Sequence, residues 1–300
     1  MLGPIALNKP VVVRQAAYDS YLSGNPADAQ PQTRGGLFLA GGGTDSDEGF
    51  RWFLDHAGGG DVVILRASGA DGYNDYLQKL GPVDSVESIV LKQREASSDP
   101  YILERVRNAD GIFFAGGDQS KYFQLIENSP LAQELNAAVQ RGVPLGGTSA
   151  GLAILGEMAF SARQGGVDPE EVLADPDSPK ITLEKSFLTL DLLKGSLTDT
   201  HFSQRQRLGR LLPFMNNLAS SGKPVNGLGV DEATAVLVEG DGKARVVGKH
   251  NAVFVTGPQQ GQFLVQTLPP GTPCDLKEWG SKDFPRQTFV VRDHQVVETR

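Results

Sequence analysis

An α/β architecture, with a mostly parallel sheet covered by helices on both faces and an antiparallel β-rich tail, is what the sequence predicts. Three observations carry that expectation. From Gly35 to Gly147, strand-sized apolar runs alternate with helix-length segments, as right-handed βαβ crossovers require. Runs such as Gly36-Leu37-Phe38-Leu39-Ala40 are continuously apolar, which suits strands buried on both faces. Beyond Ala244 the chain changes to short strands separated by glycine and proline, a pattern of antiparallel pairing.

Residues 1–34 are mixed in character, with Asn25-Pro26-Ala27-Asp28 and Gln30-Pro31-Gln32 reading as loop, and are expected to form an arm that is laid over the domain or partly ordered. A single catalytic domain is expected over 35–300. Its first strand ends in Gly41-Gly42-Gly43, and Thr44-Asp45 signals a helix start, after which Phe50, Phe53, Leu54 and Ala57 recur at helical spacing. The triglycine lacks the third glycine of a dinucleotide loop and any phosphate-binding lysine, so it reads as a tight turn at the mouth of the sheet. Strands are then expected at 61–65, 86–91, 111–114 and 143–147, with helices at 73–80, 100–108, 122–128 and 131–141. In such a sheet the functional groups lie beyond the carboxyl ends of the strands.

Two loops satisfy that rule. Gly147-Thr148-Ser149-Ala150-Gly151 sets a serine on a sharp strand-to-helix turn whose small neighbours leave its hydroxyl clear. The helix that follows would aim free N–H groups at an oxyanion, with Ala150 as the natural donor. Ala115-Gly116-Gly117-Asp118-Gln119 follows the preceding strand, offering a second backbone donor at Gly117-Asp118 and an amide at Gln119. The same glycines also suit turns packed for fold reasons alone.

From 161 to 191 the pattern loosens into a surface excursion bordering the site, with turns at Asp168-Pro169 and Asp175-Pro176. Asp199-Thr200-His201-Phe202-Ser203-Gln204-Arg205-Gln206-Arg207-Leu208-Gly209-Arg210 is a polar loop entering a helix whose Leu208, Leu211, Leu212 and Met215 share one face. Of the four histidines, at 56, 201, 250 and 294, His201 has the surroundings of a general base. Asp231-Glu232 breaks two strands with an acidic turn, from which a carboxylate could orient that histidine.

With 39% hydrophobic residues the 300-residue chain has ample material for a core. Its net charge of −8 argues against nucleic-acid binding. The one cysteine, Cys274, permits neither an internal disulfide nor a cysteine-based zinc site. Apolar runs are strand-sized, which predicts no membrane span. No signal-peptide pattern opens the sequence; a cytoplasmic home and secretion after leader removal both stay open.

Four motifs in this order, Gly116-Gly117-Asp118-Gln119, Gly147-Thr148-Ser149-Ala150-Gly151, Asp199-Thr200-His201-Phe202 with Arg205, Arg207 and Arg210, and Gly229-Val230-Asp231-Glu232-Ala233-Thr234-Ala235, resemble those of cyanophycinase and its relatives, the serine exopeptidases of family S51 that also include aspartyl dipeptidases. The resemblance runs from about Gly35 to Leu237. It implies a three-layer α/β/α flavodoxin-like fold similar to class I glutamine amidotransferases, and a triad of Ser149, His201 and Glu232. An α/β-hydrolase places its acid before its histidine, so an esterase reading would need His250 or His294 as base.

By the same resemblance Gln119, Asp199, Thr200, Arg205, Arg207 and Arg210 should line the substrate pocket, where an arginine fork suits the free α-carboxylate of a β-linked aspartyl peptide. Asp199 or another acid could in turn receive a guanidinium of cyanophycin, a polyaspartate bearing arginine on each side chain. Cyanophycinases have glutamine where this chain has Thr200, which leaves the chemistry intact and the substrate open. The resemblance implies no metal or cofactor and suggests a homodimer. Three functions follow as expectations: a cyanophycin-degrading peptidase, an aspartyl dipeptidase, or a silent binding protein on the same fold.

Overall fold

Residues 10–223 and 225–299 are described in a computed structural model. In chain order they begin with β1 (Val11–Arg14), β2 (Tyr18–Gly24), β3 (Gly36–Ala40), α1 (Asp47–His56), β4 (Asp61–Arg66), α2 (Asn74–Leu80), β5 (Ser85–Leu91), α3 (Pro100–Arg107), β6 (Gly111–Phe114), α4 (Gln119–Ile126), α5 (Pro130–Gln140), β7 (Leu145–Thr148) and α6 (Ala150–Ala153). They continue with β8 (Met158–Phe160), α7 (Pro169–Ala174), β9 (Leu183–Lys185), β10 (Ser196–Asp199), α8 (Leu208–Ser220), β11 (Asn226–Val230), β12 (Thr234–Glu239), β13 (Lys243–Gly248), β14 (Ala252–Gln259), β15 (Gln262–Leu268), β16 (Pro273–Asp275), β17 (Gln287–Arg292) and β18 (Gln295–Thr299).

Ten strands form one sheet in the order β1-β2-β5-β4-β6-β7-β3-β12-β13-β16. Its centre, β5-β4-β6-β7-β3, is parallel, and β2 and β12 flank it antiparallel. Alternating side chains serve opposite faces. Phe38, Val62, Ile64 and Phe113 pack with Phe50, Phe53 and Leu77 of α1 and α2. Leu37, Leu39, Val63, Leu65 and Phe114 face the opposite core with residues of α3, α4, α5 and α6. This is the expected flavodoxin-like α/β arrangement, with helices on both sides of a mixed sheet.

A second sheet of eight strands runs β18-β17-β15-β14-β11-β10-β8-β9. One of its faces joins the first sheet's core through Leu228, Val230, Phe254 and Trp279. The other packs on α8 through Leu211, Leu212 and Met215. The β-rich tail is thus not one extension: β13 and β16 lengthen the first sheet, whereas β14, β15, β17 and β18 build the second.

The expected N-terminal arm also needs correction over its described part, because β1 and β2 are sheet strands and β2 pairs with β5 from Tyr18↔Leu91 to Gly24↔Ser85. Buried Ser20 and Ser23 interrupt the apolar pattern that would have marked β2. Ser20 donates to the fully buried Glu87, which also receives Tyr101 and Arg105, so the polar groups are matched rather than expelled. Residues 1–9 of that arm lie outside the described residues. The 161–191 excursion contains α7, begun by an Asp168–Glu171 capping box, and the short β9.

Candidate active site

Ser149 stands between β7 and α6 with φ 53° and ψ −119°, a strained conformation for a residue with a side chain. Its amide donates to Ala40 O at 3.1 Å, fixing the turn to β3. Small neighbours are a steric necessity here: a Cβ at Gly151 would lie 2.1 Å from Phe114 O. Ala150 is the first residue of α6, so its N–H has no intrahelical acceptor. The Gly116-Gly117 turn lies against Ser149, since a Cβ on Gly116 would fall 3.3 Å from the serine's own.

His201 arrives from the second sheet, after β10, with φ 45°. Its amide donates to Gly41 O at 2.8 Å. The Ser149 Oγ to His201 Nε2 distance is 2.7 Å, and His201 Nδ1 lies 2.6 Å from Glu232 Oε1. A carboxylate only accepts, so Nδ1 carries the proton and Nε2 presents its lone pair to the serine hydroxyl. Burial holds the imidazole below its ordinary pKa; the bond to Glu232 pulls it up, while the Arg205 and Arg207 charges push it further down. The imidazole is therefore neutral, as a base must be, at lower pH than a free one.

The acidic turn divides its labour. Asp231 is buried and accepts from Ser203 N at 2.7 Å and Asn251 N at 3.0 Å, which ties the His201 loop to the second sheet. Glu232 turns to the histidine, and its own amide donates to Gln204 Oε1 at 3.0 Å. The sequence pattern did not reveal the role of the triglycine. A Cβ on Gly42, at φ 104°, would fall 2.5 Å from His201 Cε1, and Gly42 O accepts from Ala233 N at 2.9 Å. The loop is a turn at the mouth of the sheet that also packs against the Cε1–Nε2 edge of the imidazole; its signal was three glycines at a strand's carboxyl end.

Of the other histidines, His56 stacks on Trp52 and bonds Trp52 O and Glu239. His294 bonds Leu173 O, and the His250 amide donates to Thr234. The hydrogen bond to Ser149 belongs to His201, which removes the esterase order.

Beside these groups opens a cavity of about 620 Å³ bounded by the Gly117-Asp118 turn, Gln119, Asp168, Glu171, Arg205 and Arg207. The expected substrate residues do not share one role there. Arg210 grips Asp199 through Nε to Oδ2 at 2.8 Å and Nη2 to Oδ1 at 2.6 Å, and it reaches Val167 O at 2.8 Å. Its guanidinium lies over Phe160 and Phe214. Burial alone would raise the Asp199 pKa, yet Arg210 and then Arg207 drive it below the usual carboxylate range. Asp199 and Arg210 thus saturate each other, and the expectation that Asp199 receives a substrate guanidinium does not fit.

Thr200 likewise turns inward, accepting from Arg207 Nη1 at its carbonyl (2.8 Å) and hydroxyl (3.1 Å). Arg205 is exposed and pairs with no carboxylate among the described residues, leaving it free at the cavity. Gln119 makes only a long 3.4 Å contact to Phe160 O. Asp118 caps α4, its carboxylate accepting from Ser120 N at 2.9 Å and Ser120 Oγ at 2.7 Å.

Strained serine, neutral histidine and carboxylate at the carboxyl edge of an α/β sheet make the arrangement used for nucleophilic hydrolysis, and the class is a hydrolase. The chain belongs to peptidase family S51, whose model matches residues 69–246. A cyanophycinase from Synechococcus elongatus is 34% identical over 213 residues, 68% of this chain and 61% of that protein, so the match spans less than two thirds of its length. A cyanophycinase from Geminocystis herdmanii is 28% identical over 236 residues, 75% and 81% of the two chains. The crystal structure of a peptidase from an acI-B1 Actinobacterium superposes with a TM-score of 0.60 at 19% identity, covering 82% of this chain and 98% of that one; it shares the fold.

Proposed function

We propose that this chain is a serine-type exopeptidase that cleaves β-aspartyl peptide bonds, with cyanophycin as substrate and β-aspartyl-arginine as product. The observation that carries the reading is the hydrogen-bonded series Ser149 Oγ, His201, Glu232 at 2.7 and 2.6 Å. His201 takes the serine proton as Oγ attacks the amide carbonyl, and N–H groups of Ala150 and the Gly117-Asp118 turn receive the oxyanion. The imidazolium then protonates the leaving amine, and water, activated by the same base, releases the acyl group. Glu232 holds the tautomer and balances the imidazolium charge.

Arg205, unpaired at the cavity, supports recognition of a substrate carboxylate, and Gln119 offers an amide beside it. The named activity of the cyanophycinase relatives supports the polymer as substrate. A second reading, an aspartyl dipeptidase, is favoured by Thr200, which engages Arg207 rather than the cavity. A homodimer is part of the proposal and is checked by sedimentation.

The test is incubation with cyanophycin, β-aspartyl-arginine and other aspartyl dipeptides, with products followed by mass spectrometry beside Ser149→Ala. Release of β-aspartyl-arginine from polymer, abolished in the variant, is the expected result. Cleavage of dipeptides alone selects the second reading, and full activity of Ser149→Ala overturns both.

A further inference from the structure

Asp45 is unused in the site described so far. Ser46, not Asp45, caps α1, accepting from Gly49 N at 3.2 Å. The Asp45 carboxyl instead turns inward. Its Oδ2 accepts from Tyr73 O–H at 2.6 Å, while Oδ1 is buried without a partner of hydrogen-bonding geometry. The Thr148 hydroxyl, on a residue only 5% exposed, is buried and orphaned in the same way.

The register Ala40↔Thr148 brings the loop that carries Asp45 to the end of β7, and there burial raises the Asp45 pKa while the Tyr73 and then the Thr148 hydroxyl oppose it. Only three side-chain polar atoms among the described residues are buried and unpartnered, so two of them on the segments that meet in register at Ala40 and Thr148, next to Ser149, call for a physical reason. Thr148 ends β7, pairs with Ala40 in register, and directly precedes the strained serine. The loop carrying Asp45 leaves β3 from that same Ala40. Tyr73, which holds Asp45, is covered by the Arg66 guanidinium at 5.4 Å. Arg66 Nε donates to Ser68 O at 3.0 Å, and Ser68 lies beside Gly117 of the other donor turn.

We propose that Asp45 is a positioning residue for the Ser149 nucleophile, acting through the Thr148 hydroxyl; this rests on the reading of Ser149 as nucleophile. The two groups make no hydrogen bond in this structure; the bond closes in the reacting complex, as hydrogen bonds that are long in a free enzyme commonly do. Closing it holds the end of β7 against relaxation of the serine turn, and so fixes Oγ relative to His201.

The experiment compares Asp45→Ala, Asp45→Asn, Thr148→Val, Thr148→Ser and the double variant Asp45→Ala/Thr148→Val. It reads the second-order rate of Ser149 labelling by a fluorophosphonate, kcat and KM on cyanophycin, and the melting curve. Asp45→Ala and Thr148→Val should each slow labelling and kcat by about 10–100-fold with KM within twofold, since small misplacement of a nucleophile costs that much. The double variant should be no slower than either single one, as for residues acting as a unit. Asp45→Asn and Thr148→Ser, which keep a polar partner, should recover most of the rate.

Wild-type labelling rates in Asp45→Ala and Thr148→Val, or losses that multiply in the double variant, would overturn the proposal. If Asp45→Ala does not fold, the nearly isosteric Thr148→Val carries the test on its own. Failure of the nucleophile reading looks different: an active enzyme that is unlabelled at Ser149, or an active Ser149→Ala, removes both.

Discussion

His201 concentrates the chemistry of single residues here, because its protonation is set by neighbours that oppose one another. Burial and the Arg205 and Arg207 charges favour the neutral ring, and Glu232 favours the imidazolium. The acid limb of kcat/KM should accordingly lie below the ~6.5 of free imidazole. Removing a nearby cation stabilises the imidazolium, so Arg205→Gln should move that limb to higher pH. It should also raise KM by roughly 10–100-fold, the worth of a charge-assisted contact. A pH–rate profile reads both, and an unmoved limb would show that Arg205 does not feel the imidazole. Glu232→Gln should cost on the order of 10³-fold in kcat, since a neutral amide no longer enforces the tautomer. Stopped activity with an unchanged melting curve would be the signature.

Among elements, the loop Gly41–Gly43 and helix α8 show how positioning is shared. Gly42→Ala places a methyl within 2.5 Å of the imidazole at a backbone angle of 104°. It should lower kcat by at least about 10²-fold while the far-UV circular dichroism stays native. Helix α8 is moored through Arg210 to Asp199 and Val167. Arg210→Met leaves the buried Asp199 with only Arg207 Nη1 at 3.2 Å and the Thr200 amide at 2.8 Å, a loss of about 3 kcal/mol, seen as a melting temperature lower by about 10 °C. Because the Asp199 pKa is depressed in the fold, its contribution is complete above the ordinary carboxylate pKa and disappears as pH falls through the lowered one. The wild-type advantage over Arg210→Met should therefore shrink only in strong acid.

These elements also mark what was legible in the sequence. Runs such as Ile112-Phe113-Phe114 and Val143-Pro144-Leu145, followed by glycine turns, announced the parallel strands and both site loops, whereas the Gly41–Gly43 loop after Phe38-Leu39-Ala40 read only as a turn. Strand β2 was hidden because Ser20 and Ser23 are buried by hydrogen bonding, not by apolarity. The saturation of Asp199 by Arg210 was hidden too, since a spacing of eleven residues says nothing of which arginine turns inward.

At the scale of the whole molecule, the site is not the property of either sheet. Ser149 leaves β7 of the first sheet and His201 leaves β10 of the second, while Glu232 sits in the turn that passes from β11 of the second to β12 of the first. The hydrogen bonds between Ser149, His201 and Glu232 therefore span the junction, secured by His201 N to Gly41 O and Ala233 N to Gly42 O. Secondary structure can survive a small shift of one sheet on the other, but the serine hydroxyl and imidazole in contact at 2.7 Å cannot keep their alignment. Local opening of such a junction requires less free energy than global unfolding. In a urea titration, peptidase activity and fluorophosphonate labelling of Ser149 should fall together at a lower midpoint than the far-UV circular dichroism. Coincident midpoints would mean instead that both sheets and the site unfold as one cooperative unit, and that the junction is as firm as the sheets it joins.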